Sequence, residues 1–159
     1  LFESIARPGA EENIDSEKFE YKNRNFAKAE KNGKSLAPYI SSLNAIRAAH
    51  PALAQLRNLD VHWSDDESIL VYSKYLAAEH NPTGRADAVI VVANVDPHSV
   101  RETMIHFDVT RFGFPLDSTF AVTDLITGAQ FTWGADNFVR LDSFTEPVHV
   151  LTIEFGKGH

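Results

Sequence analysis

The sequence predicts two unlike parts: a loop-and-helix segment over residues 1–57, then an all-β antiparallel sandwich over residues 58–159. Three observations predict this. From Leu59 onward, apolar and polar residues alternate in short runs, the period of a half-buried strand. Turn-forming stretches such as Asn81-Pro82-Thr83-Gly84 and Thr127-Gly128 punctuate those runs at sandwich spacing, with no helical stretch among them. The clearest helical period lies earlier, at Leu36, Ile40, Leu43 and Ile46.

Residues 1–34 carry seven acids and seven bases, with few large apolar side chains between Arg7 and Gly33. This segment reads as surface loop with a short helix near Asp15–Lys22, and it cannot build a core alone. Ser35 is a suitable N-cap for a helix over about 36–49. Pro38 is tolerated in the first turn, and His50-Pro51 ends the run because a residue before proline is driven out of the α region. The apolar stripe of this helix needs a partner that residues 1–34 do not supply. Strands are then expected at Ile69–Tyr72, Ala88–Ala93, Thr103–Val109, Phe120–Leu125, Gln130–Trp133, Phe138–Leu141 and Val148–Phe155. Asp65-Asp66, Asp96-Pro97, Gly134–Asn137 and Glu146-Pro147 supply turns between them.

Composition narrows the function. The chain has 159 residues, 43% of them hydrophobic, which is enough for a core and excludes general disorder. Its net charge is −7, and residues 58–159 hold fifteen acids against six bases. Nucleic acid is therefore not an expected partner, since phosphate neutralisation needs clustered Lys and Arg. No apolar run approaches the ~20 residues of a membrane span, so no membrane partner is expected. With no cysteine, disulfides and thiolate metal sites are excluded. Leu1 is not an initiator Met, and an upstream portion is expected.

Candidate chemistry is sparse. Gly33-Lys34-Ser35 opens a helix, but position 28 is lysine where a phosphate loop has glycine, so these residues read as loop and cap. The seven histidines form no metal-ligand spacing, and no metal site is expected. Glu11, Glu12, Asp15 and Glu17 form one acidic cluster, and Asp65-Asp66-Glu67 form another in an expected hairpin turn. Trp63, Trp133, Tyr72 and Tyr75 are candidates to stack on sugars, weighed against ordinary places in a sandwich core. No nucleophile–base motif is recognisable.

A resemblance adds what spacing cannot. Phe2-Glu3-Ser4, Arg7-Pro8-Gly9-Ala10-Glu11-Glu12 and Asp15-Ser16-Glu17-Lys18-Phe19-Glu20-Tyr21-Lys22 resemble the α-1,4-glucan:maltose-1-phosphate maltosyltransferases. These belong to glycoside hydrolase family 13, the α-amylase superfamily. The likeness continues through Leu36–Ile40, Leu43–Arg47, His50–Leu53, Val71–Lys74, Val92–His98, Leu125–Gly128 and Phe138–Leu141. It departs over residues 79–87, where a longer surface connection is expected. The resemblance implies that residues 1–57 are the final active-site-face loop and last helix of a (β/α)8 barrel, and 58–159 its C-terminal sandwich.

It implies maltose 1-phosphate as donor and an α-1,4-glucan as acceptor, with no cofactor, a homodimer and a cytoplasmic location. The catalytic carboxylates would lie upstream of Leu1, so no catalytic residue is assigned in this chain. Lys18 matches a family lysine near the maltosyl unit, with Glu17 a weaker substrate-binding neighbour. Two rival readings stand beside this one: another hydrolase or transglycosylase of the same superfamily, and a non-catalytic glucan-binding sandwich module.

Overall fold

Alternation along the second part of the chain becomes two antiparallel sheets whose inward residues meet in one core. A computed structural model describes residues 5–11, 13–14 and 23–156. The chain divides into two compact units, Leu1–Ala45 and Ile46–His159.

In the first unit, strands β1 (Ile5–Ala6) and β2 (Asn13–Ile14) pair antiparallel. Helix α1 (Phe26–Lys31) follows, a helix the sequence reading did not anticipate. Asn25 caps it, its Oδ1 accepting from the Lys28 N–H at 2.9 Å. The helix expected near Asp15–Lys22 lies outside the described residues. Helix α2 (Ala37–Ala49) falls where the apolar period put it. Ser35 Oγ accepts from the Ala37 N–H at 3.1 Å, and the Leu36 carbonyl opens the helical ladder by accepting from Ile40 N–H at 2.9 Å. No residue of α2 is buried.

A 3-10 turn, Pro51–Ala54, carries the chain to the sandwich. Asp87 clamps it from the sheet, accepting from the Ala52 N–H at 2.8 Å and pairing with His50 Nδ1 at 2.8 Å. The six-stranded sheet runs β3 (Leu59–Val61), β5 (Ile69–Leu76), β6 (Asp87–Asn94), β11 (Val148–Ile153), β8 (Phe120–Asp124), β9 (Gln130–Trp133). Opposite it stand β10 (Asp136–Asp142), β7 (Val100–His106) and β4 (Trp63–Ser64). Every described pairing is antiparallel. The short strands β3 and β4 were not anticipated.

Period-two alternation fills the interior. Ile69 and Val71, Ile90 and Val92, Leu151 and Ile153 point inward from the larger sheet; Ile105, Val139 and Leu141 answer from the smaller one. Thr103, Ile105, Phe107 and Val109 are all buried as their spacing required, but the strand ends at His106. Val109 and Phe112 reach the core from a 3-10 turn, Val109–Phe112, closed by Gly113 at φ 81°, a left-handed position that favours glycine. Phe112 meets Phe120 edge-on at 5.9 Å, and Phe114 stacks on Phe120 at 5.0 Å. Between Leu76 and Asp87 the connection is a 3-10 turn (Ala78–His80) followed by a loop in which Asn81 Nδ2 donates to the Arg85 carbonyl at 2.6 Å. Among the described residues, no helix is long and apolar enough to cross a membrane.

Candidate functional site

The residues named for substrate binding, Lys18 and Glu17, lie outside the described residues, as do Glu12 and Asp15; Glu11 is described and exposed. The four candidate stacking aromatics separate cleanly. Trp133 is buried in the core, ring-on-ring with Phe107 at 5.8 Å. Tyr75 packs against that core, near Phe112 and Phe155, and burial pushes its hydroxyl pKa up. Tyr72 is half-buried. Trp63 alone of the four is open to solvent, 70% exposed on β4.

Strand register gives Trp63 its neighbours. It pairs with His106 on β7, which pairs with Asp136 on β10, so three side chains share one row on the outer face of the small sheet. Trp63 Nε1 donates to Asp65 Oδ1 at 3.3 Å. His106 Nδ1 lies 2.6 Å from Asp136 Oδ1 and its Nε2 3.2 Å from Asp65 Oδ1. Carboxylates only accept, so the imidazolium form, with a proton on each ring nitrogen, satisfies both contacts. The bond to Asp136 is the largest cause of a raised His106 pKa. The next row of that face carries Phe138, 61% exposed and paired with Met104.

Beside Trp63 a groove of about 230 Å³ is lined by Asp60, His62, His106, Asp108 and Arg111. His62 is held by Ser73 Oγ at 2.7 Å and by the edge of Phe107 at 4.7 Å, and burial depresses its pKa. Arg111 reaches toward Asp60 at 3.5 Å and Asp108 at 3.8 Å. Histidine spacing in the sequence gave no hint of this convergence, because register and the 109–112 turn create it. Exposure of Trp63 was equally hidden, since β4 is two residues long and shows no period.

A second constellation joins two buried residues, Asp124 and His149, to the half-exposed Glu146. Asp124, Glu146 and His149 bring one ligand atom each within 4.8 Å of one another. Asp124, wholly buried, accepts from Ile126 N–H at 2.8 Å and Thr127 N–H at 3.4 Å through Oδ1, and faces His149 Nδ1 at 2.7 Å through Oδ2. Those bonds occupy both carboxylate oxygens in holding the 124–128 turn, so the group reads as a structural anchor. The remaining Asp65-Asp66-Glu67 cluster is turn chemistry in part: Asp66 Oδ1 accepts from the Ser68 N–H at 2.8 Å.

Two unequal antiparallel sheets, closed on an aromatic core and bearing one open tryptophan face, define a β-sandwich domain. Residues 61–153 match the family model described as "GLGE, C-terminal". This chain belongs to that family. It is 41% identical over 154 residues to the α-1,4-glucan:maltose-1-phosphate maltosyltransferase of Bifidobacterium longum, covering 97% of this chain and 20% of that protein. The like-named proteins of Corynebacterium glutamicum (42% identity, 96% of this chain, 22% of that protein) and Mycobacterium tuberculosis H37Rv (39%, 96%, 21%) match similarly. The chain spans about a fifth of the length of these curated relatives.

Proposed function

We propose that this chain is the C-terminal part of a retaining glycosyltransferase. It moves a maltosyl unit from α-maltose 1-phosphate to the non-reducing end of an α-1,4-glucan. What carries the reading is 41% identity sustained over 154 residues with a protein named for that transfer. In this reading residues 1–57 are the last active-site-face loop and final helix of a (β/α)8 barrel, whose active site is built at the C-terminal ends of its strands. Residues 58–159 are the appended sandwich. The remaining partner is the upstream part of the same enzyme; a cytoplasmic homodimer rests on resemblance only.

Retention requires two displacements. An upstream aspartate attacks the anomeric carbon while an upstream glutamic acid protonates the departing phosphate. The acceptor 4-hydroxyl then attacks the maltosyl-enzyme, and the same glutamate takes its proton. Lys18 contributes N–H donors to maltosyl hydroxyls, with Glu17 in a lesser role beside it.

The test is made on the full-length enzyme with α-maltose 1-phosphate and glycogen. Phosphate release should depend on glycogen and lengthen its chains by maltosyl steps. Free maltose as the main product would instead favour a hydrolase of the same superfamily. Lys18→Ala should lower kcat/KM for the donor by about 1–3 kcal/mol in transition-state terms. An unchanged kcat/KM removes Lys18 from the donor site.

A further inference from the structure

Exposed tryptophan is uncommon, and on this sandwich it is surrounded by groups suited to one kind of ligand. Trp63 stands 70% exposed while Trp133 is buried at 6%. Its indole N–H is tied to Asp65, which fixes the ring and reduces the entropy a ligand must overcome to stack on it. Two strands over and one row along, about 10 Å across the sheet, Phe138 offers a second open ring. Between and beside these rings lie polar groups of both kinds. Asp65 and Asp136 are 58% and 68% exposed acceptors, and the Arg111 guanidinium, 61% exposed, is a donor at the groove.

Flat apolar faces spaced by acceptors and donors match a chain of sugar rings, whose C–H faces stack and whose hydroxyls both donate and accept. A polyanion is disfavoured, because residues 58–159 carry fifteen acids against six bases. A neutral polyol meets no such penalty. The groove of about 230 Å³ at the Trp63 edge is of a size to seat a single hexose unit.

We propose that the outer face of the three-stranded sheet, from the groove at Trp63 and Arg111 toward Phe138, is a docking site for α-1,4-glucan chains. The choice of α-1,4-glucan rests on the maltosyltransferase reading above, in which that polymer is the acceptor. Trp63 supplies the stacking platform, Asp65 and Asp136 accept from hydroxyls, and Arg111 donates. Holding a branched polymer on this face raises the local concentration of its chain ends.

The 159-residue chain is titrated with maltoheptaose, using tryptophan emission as the readout. Because Trp133 is buried, a change in emission reports Trp63. The expected result is a saturable change with maltoheptaose, little response to cellohexaose, and retardation in a glycogen gel. Trp63→Ala should weaken retention about tenfold, while Trp63→Phe, which keeps an aromatic face, should preserve most of it. Free migration of the unmutated chain, retention untouched by Trp63→Ala, or an equal response to cellohexaose overturns the proposal. The two readings fail separately. Trp63-dependent retention without maltosyl transfer by the full-length enzyme removes the transferase and leaves the site; transfer without such retention removes the site alone.

Discussion

At the scale of single residues, the acidic excess of the sandwich is a folding device. Asp66, Asp96, Asp108, Asp124 and Asp142 each accept from the backbone N–H two residues on, at 2.8–3.1 Å. Such turns let a short carboxylate replace a missing backbone partner. Asp65-Asp66 and Asp96-Pro97 were legible as turns because their composition is local. Asp124 was not, since its burial depends on His149 arriving from a strand 25 positions later. Asp124→Ala would leave two turn N–H groups and the His149 ring without their acceptor inside the protein. A loss of about 3 kcal/mol is expected in urea unfolding, against a smaller one for Asp124→Asn, which keeps one acceptor oxygen. Equal, sub-kcal effects of both would show the cluster to be dispensable.

Elements tell a different story: strands with a long period were readable, and short ones were not. β9 matches its expected bounds, Gln130–Trp133, and β5, β6, β8, β10 and β11 shift only at their ends. β3 and β4, of three and two residues, are too short for a period to register. Sheet order was also invisible, because β11, the last strand, inserts between β6 and β8. The α2 segment poses the sharper question. Leu36, Tyr39 and Ile40 are 44%, 38% and 51% exposed along one apolar stripe. Under the proposed reading this is the final helix of a barrel, whose apolar side is covered by the rest of that barrel. Ile40→Asp should then change the urea-unfolding free energy of the 159-residue chain by no more than about 0.5 kcal/mol. In the full-length enzyme the same change should cost about 2 kcal/mol or more, from lost burial and a stranded charge. A negligible cost in both proteins argues against a barrel-facing helix.

For the molecule as a whole, the absence of cysteine leaves histidine as the side chain that ordinarily titrates between about pH 5.5 and 8, so stability there follows those imidazoles whose pKa folding shifts. Among the described residues, His62 and His106 are shifted in opposite directions. Burial against Phe107 and Phe112 holds His62 below its ordinary 6.5, so the unfolded chain takes up a proton before the folded one. Its stabilisation is complete above pH 6.5 and is lost as pH falls toward the folded value. His106 is the reverse case: carboxylates at both nitrogens raise its pKa, so its contribution is complete below 6.5 and is lost as pH rises through the folded value. Asp96, lowered chiefly by Arg101, and Asp108, lowered chiefly by the Thr110 hydroxyl, act only near and below 3.8 and leave this window untouched. The urea midpoint should therefore fall on both sides of a maximum near pH 6.5, with unequal limbs. His106 is about a third exposed, so solvent screening keeps its limb shallow, whereas His62 is half-buried against two phenyl rings. His106→Gln should flatten the alkaline limb and leave the acid limb in place, and His62→Gln the converse. An alkaline limb that survives His106→Gln would show that the Asp65–His106–Asp136 row does not hold its proton in solution, and the geometry of the Trp63 face would have to be redrawn with it.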